Sequence, residues 1–307
     1  MRGRVTATEP RAAPLRRQPA ALLRWLSCIR LDEVVVLQGA PVIGALFSVG
    51  GFDLPRLLAL AVLVAGNMCL VGHVFVLNDW GGIATDGQDP RRAGWTFTAK
   101  GSNAAEMALL ALGLLLAGLL LLGLLSPAAG FIGAGIAVLS GLYSLPAIGG
   151  KGIPLFNSAL HLVGGALHFL LGYVAFAALS WRAVAISCFF GLVFTAGHFT
   201  HETRDHDGDR LNNIRTNAVA FGKRRSFLAG LALFSLAYVL LATLALNGLV
   251  PRVLALVACT ALLLHLLAAR RAFRAGLTFE AVRRLQVFYR RLHAVIGVVM
   301  LASVPPW

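Results

Sequence analysis

The stretch AAEMALLALGLLLAGLLLLGLL at residues 104–125 carries one ionisable side chain, Glu106, and is otherwise apolar or glycine. Coiled as an α-helix it is ~33 Å long at 1.5 Å per residue, enough to cross a hydrocarbon core of ~30 Å. It lacks the alternation of a membrane β-strand, and in lipid only helices and closed barrels satisfy their own backbone groups. Apolar runs of similar character lie on both sides of it. The predicted spans are Val34–Gly51, Pro55–Leu77, Ala104–Leu125, Ala128–Leu145, Leu155–Leu179, Ala183–Thr200, Phe227–Leu246, Pro251–Ala268 and Val287–Val304. The chain thus predicts an all-α polytopic membrane protein, a bundle of about nine transmembrane helices over residues 31–307. Residues 1–30, rich in Arg and Pro, read as a largely disordered cytoplasmic tail ending in an interfacial helix near Leu22–Ile29.

Composition agrees. Hydrophobic residues make up 58% of the 307 and charged residues only 13%, too few for the surface of a soluble domain. The net charge of +14 would suit a nucleic-acid binder, but its distribution excludes that class. With the N-terminus in the cytoplasm, 24 Lys/Arg fall on the inner side and only Arg56, Arg182 and Arg252 on the outer. This asymmetry, repeated loop after loop, is the orientation signal of a membrane protein facing anionic lipid. The expected location is a cytoplasmic membrane of bacterial type, with the long loops inside and the C-terminus outside. Cys28, Cys69, Cys188 and Cys259 are scattered without a CxxC pair and read as small buried residues.

The outer connections are minimal, whereas residues 78–103 and 201–225 form long cytoplasmic segments. Of the 13 acidic residues, seven lie in these two: Asp79, Asp86 and Asp89 in the first, Glu202, Asp205, Asp207 and Asp209 in the second. Glu202, Asp205 and Asp209 are spaced i, i+3, i+7, which places them on one helical face if the sixth span continues past the membrane. Carboxylates ~5 Å apart repel by roughly 3 kcal/mol at an effective dielectric near 20, so such a face binds protons or a cation. Mg²⁺ prefers oxygen ligands and shares them with substrate phosphates. Arg92, Lys100, Lys151, Arg204 and Arg210 lie close by in sequence and can take phosphate oxygens.

These residues resemble the motifs of the UbiA-type intramembrane prenyltransferases. Asn78-Asp79 with Asp86 and Asp89, then Pro90, Arg92 and Gly101, is similar to the family's first Asp-rich motif. Gly82 stands where an acid is usual, and the later acids arrive after a short insertion. Residues 201–210, continuing to Thr216 and Gly222, resemble the second motif, and Tyr143-Ser144-Leu145-Pro146 with Lys151 resembles the segment after the fourth span. The resemblance covers roughly residues 30–305. It implies Mg²⁺-dependent ionisation of a polyprenyl diphosphate and prenyl transfer to a small aromatic acceptor: a phenol, quinone precursor or quinolone-like ring. Asn78, Asp79, Asp86, Asp89, Glu202, Asp205 and Asp209 are then the implied metal ligands, with Asp89, Asp205 and Asp209 central to catalysis. Arg92, Lys100, Tyr143, Lys151, Arg204 and Arg210 are the implied diphosphate contacts.

Polar residues inside spans are functional by default. His73, Asn157, His161 and His168 are therefore candidates for the acceptor pocket, the last three lying along roughly one face of the fifth span. Other readings stay open. A related terpene cyclase would use the same motifs, and a cation-coupled carrier would use the acids differently, although carriers place ionisable groups near mid-membrane. Asp86-Gly87 and Asp207-Gly208 superficially match a phosphatidyl transferase motif whose other residues are missing. His198, His201 and Glu202 at i, i+3, i+4 suit iron or zinc, but as a single box. No obligate protein partner is evident.

Overall fold

The computed structural model describes residues 21–86 and 93–303, apart from the side chains of Ala21, Leu22, Thr85 and Asp86. Twelve α-helices follow one another among the described residues: α1 (Ala21–Cys28), α2 (Leu31–Val36), α3 (Gly39–Leu46), α4 (Leu54–Asp86), α5 (Ala104–Leu125), α6 (Pro127–Ser144), α7 (Phe156–Val174), α8 (Trp181–Leu211), α9 (Asn217–Phe221), α10 (Lys223–Leu246), α11 (Val253–Arg274) and α12 (Phe279–Ala302). Seven of them, α4, α5, α6, α8, α10, α11 and α12, are long and apolar enough to cross a membrane. Helix α7 corresponds to the predicted fifth span, and the pair α2–α3 to the first.

The first span is a broken helix rather than a continuous one. Pro41 has no N–H to return to the carbonyl four residues earlier, so the ladder is interrupted near Leu37–Gln38. The polar side chain at the break is used twice: Gln38 donates to the Val34 carbonyl at 2.8 Å and accepts from Asn67 of α4 at 2.8 Å. Local signals fix other helix ends. Asn103 and Glu106 form a reciprocal capping box that starts α5, and Ser126 caps α6 with Pro127 in its first turn.

Helices α4 and α8 run well beyond the spans that hydropathy marks, to 33 and 31 residues. Polar side chains end an apolar window without ending the backbone ladder, so Asn78 and Asp79 sit on α4 and Glu202, Asp205 and Asp209 on α8. Residues 1–20, the bulk of the predicted tail, lie outside the described residues; α1 occupies the predicted interfacial segment.

One apolar core joins α3, α7, α8, α10, α11 and α12, and a second joins α3, α4, α5, α6 and α7. Helices α3 and α7 belong to both, and they approach closely. A β-carbon at Gly44 would overlap the Phe169 carbonyl, and one at Gly172 would overlap the Pro41 carbonyl, so only glycine permits the contact. On the outside, α5 turns Leu109, Leu112, Leu116, Leu120 and Leu124 outward, each more than half exposed. A leucine face of that length suits contact with lipid.

Candidate active site

A cavity of about 880 Å³ opens between the two cores, a volume suited to a small-molecule substrate. Its lining changes character in the same direction along three helices. On α4 it passes from Val71, Val74 and Phe75 to Asn78 and Asp79; on α6 from Ile136 and Leu139 to Tyr143 and Ser144; on α8 from Val193 and Phe194 through His198 and His201 to Asp205 and Asp209. From Val193 to Asp209 is ~24 Å along the axis. The polar mouth thus lies at the C-terminal ends of α4 and α8, where the helix dipole favours cations.

The two acidic segments meet in this cavity. Asn78, Asp79, Glu202, Asp205 and Asp209 all line it, with Lys100, Tyr143, Lys151 and Arg204. Asp86 ends α4 but its side chain is outside the described residues, as are Asp89 and Arg92 altogether. Arg210, implied as a diphosphate contact, is exposed and does not line the cavity.

The acids differ in what holds them. Asp79 is gripped through both carboxylate oxygens by Arg30, from the α1–α2 connection. Asp205 pairs with its neighbour Arg204, Nε at 2.7 Å and Nη2 at 2.8 Å, and Arg204 also donates to Gln286 of α12 at 2.8 Å. Asp209 is buried, 6% exposed. Glu202 is buried among amides: Asn157 donates to one oxygen at 2.7 Å and Asn217 to the other at 2.8 Å. His198 Nε2 lies 3.1 Å from Glu202. Both oxygens of Glu202 are therefore engaged in joining α7, α8 and α9, which makes it a poorer metal donor than its motif position implies. The same network supports a tight turn. Asn217 Oδ1 accepts from the N–H of Leu155, whose φ is +64°, while Phe156 N–H bonds the Pro154 carbonyl at 2.8 Å, closing a γ-turn.

Carboxylate and amide oxygens at one mouth fit Mg²⁺, which keeps waters and completes its shell with substrate phosphate. Among the described residues no three His, Cys, Asp or Glu form a metal-holding group by themselves. An iron or zinc box at His198, His201 and Glu202 is therefore not supported.

Of the intramembrane polar residues, two leave the cavity wall. His73 turns to α5, its Nδ1 2.8 Å from the Ala111 carbonyl, and Asn157 is consumed by the Glu202 network. His161 and His168 do line the cavity. His161 donates from Nδ1 to the Asn157 carbonyl at 2.8 Å, because a carbonyl only accepts. Its ring stacks on His198 at 3.8 Å, with Tyr143 edge-on at 5.2 Å. Arg30, Glu33, Tyr289 and Arg290 also reach the cavity, Arg290 lying 3.5 Å from Glu33. They come from chain segments far apart in sequence, and no local motif marks them.

The model of the UbiA prenyltransferase family matches residues 40–285. No curated protein matches the chain by sequence. Among solved structures, an apo UbiA homologue from Aeropyrum pernix K1 superposes with a TM-score of 0.71 at 18% identity, covering 88% of this chain and 98% of that one. A structure concerned with digeranylgeranylglyceryl phosphate synthase in membranes gives a TM-score of 0.70 at 18% identity, over 92% and 98%. A UbiA homologue from Archaeoglobus fulgidus bound to DMAPP and Mg²⁺ gives 0.69 at 12% identity, over 91% and 99%. These likenesses carry the fold, and the family model, spanning well over half the chain, carries the kinship: this integral membrane protein belongs to the UbiA prenyltransferase family.

Proposed function

We propose that the chain moves a prenyl group from a polyprenyl diphosphate, bound with Mg²⁺ at the mouth, to a small aromatic acceptor within the membrane. One observation carries the reading: a single cavity has acids and cations at one end and a lengthening apolar wall behind them. That polarity gradient matches a molecule with a charged head and a hydrocarbon tail. It also explains why the acids sit at helix ends and not at mid-membrane, where a carrier would hold them.

Asp79, Asp205 and Asp209, with the Asn78 amide, are the residues for Mg²⁺; Asp86 and Asp89 are further candidates from the first motif. Bound there, the ion would neutralise charge gathering on the departing diphosphate. Lys100, Lys151 and Arg204 donate to its remaining oxygens, and Tyr143 offers a hydroxyl. The apolar walls keep water from the allylic cation. His161, its Nδ1 proton committed to a carbonyl, has Nε2 left to accept from an acceptor hydroxyl. The positive-inside asymmetry supports a mouth on the cytoplasmic face and a C-terminus on the opposite one.

The test is incubation of purified protein with geranyl, farnesyl and longer diphosphates against a panel of aromatic acceptors, read by mass spectrometry. Adducts of acceptor plus prenyl group minus a proton are expected, abolished by a chelator and restored by Mg²⁺. Diphosphate release with a hydrocarbon product and no adduct would instead make it a cyclase.

A further inference from the structure

Arg204 stands on the cavity wall in an arrangement that its own helix does not dictate. Neighbouring residues of an α-helix point ~100° apart and do not face each other. Arg204 nevertheless closes a two-pronged pair on Asp205, Nε to Oδ1 at 2.7 Å and Nη2 to Oδ2 at 2.8 Å. The guanidinium is held from α12. Its Nη1 donates to Gln286 Oε1 at 2.8 Å, and its Cζ lies 5.6 Å from the ring centroid of Phe279. Gln286 and Phe279 are seven residues apart and share a face of α12.

Arg204 and Asp205 line the cavity, whereas Gln286 and Phe279 do not. The two α12 side chains therefore support the guanidinium from behind, as seen from the substrate space. Gln286 is 3% exposed. A guanidinium only donates, so the amide oxygen must face Nη1, and an apolar side chain at this position would remove that acceptor. Both oxygens of Asp205 are turned to Arg204, so engaging a metal ion loosens this fork at least in part. A guanidinium released on its flexible stem would have to be ordered again at a cost in side-chain entropy. One still gripped through Nη1 and its face keeps its place.

We propose that Gln286 and Phe279 are positioning residues that keep Arg204 at the mouth while its Nε–Nη2 edge passes from Asp205 to a diphosphate oxygen. Without diphosphate, Arg204 offsets the charge of Asp205; with it, the same edge meets the substrate. The inference rests on the Mg²⁺–diphosphate reading and adds the helix that sets the place of the cation. It gives α12, remote in sequence from both acidic motifs, a part in holding the leaving group.

The experiment measures binding of inorganic pyrophosphate in the presence of Mg²⁺ by titration calorimetry, beside thermal unfolding of each protein without ligand. Gln286→Met, similar in length but without a strong acceptor, should weaken pyrophosphate binding roughly 10-fold, the effect of one lost hydrogen bond to a charged group. Gln286→Glu still accepts from a guanidinium and should stay within ~3-fold of the wild type. Phe279→Leu, at an exposed site, should lose ~3-fold and carries the test if Gln286→Met does not fold. Combined with Arg204→Gln, either change should cost nothing further, because each acts through Arg204. Unchanged affinity in the folded variant, or losses that add to that of Arg204→Gln, overturn the positioning role. Equal losses in Gln286→Met and Gln286→Glu do so too. Each of these outcomes leaves the diphosphate reading standing, whereas a wild-type protein that binds no pyrophosphate with Mg²⁺ sinks that reading as well.

Discussion

Asp79 and Glu202, on facing walls of the cavity mouth, are held in opposite ways. On the α4 side, Asp79 is secured by Arg30, a partly exposed ion pair between segments 49 residues apart. On the α7–α8 side, Glu202 is sealed at 4% exposure by two amides and a nearby imidazole. Partly exposed pairs contribute about 0–1 kcal/mol, while hydrogen bonds to a buried charge contribute about 1.5–3 kcal/mol each. Acids that look alike in a motif are therefore held differently: Glu202 ties α7, α8 and α9 together, while Asp205 is paired with its neighbour Arg204.

The sharpest break with that distinction would come from Asp209. Asp209→Ala or Asp205→Ala should lower turnover ~10³-fold or more at saturating Mg²⁺, measured as initial rate, because charge stabilisation at the leaving group is lost. Normal rates in both variants would remove the metal role altogether. A smaller effect separates Glu202 from them. Glu202→Gln places an NH₂ against an amide donor, so unfolding in detergent should be easier by about 1–3 kcal/mol. Its Mg²⁺ midpoint should move less than ~2-fold, since few ligand contacts change; a shift as large as in Asp209→Ala would erase the contrast. The smallest change is expected at Arg30. Arg30→Gln should alter stability by less than about 1 kcal/mol, as for other partly exposed pairs. A loss equal to that of Glu202→Gln would make the two walls equivalent.

Hydropathy made the bundle legible because lipid imposes long uninterrupted apolar runs, and α5 begins and ends where the sequence places it. The same smoothing hid the break in the first crossing, since Pro41 sits within an apolar run and acts on a backbone bond, not on hydropathy. The second acidic segment was legible from spacing, and the helical continuation of α8 puts Glu202, Asp205 and Asp209 in one cavity. What spacing does not reveal is satisfaction. His73 and Asn157 look like pocket residues until the Ala111 carbonyl and Glu202 are found to occupy them, and His168 looks the same in sequence but has no such partner among the described residues. Arg30 and Arg290 reach the cavity only through tertiary folding, which no local pattern encodes.

Helices α4 and α8, at 33 and 31 residues, have consequences for how substrate arrives. They measure ~50 and ~46 Å, some 15–20 Å more than the hydrocarbon slab needs. With the apolar windows of both helices set in the slab, the excess at their C-terminal ends would carry the carboxylates toward the headgroup layer and leave the apolar walls level with the acyl chains. A prenylated diphosphate at rest in a leaflet already straddles those two zones. It can therefore reach the enzyme by lateral diffusion, with neither its charge dragged into oil nor its chain pulled into water.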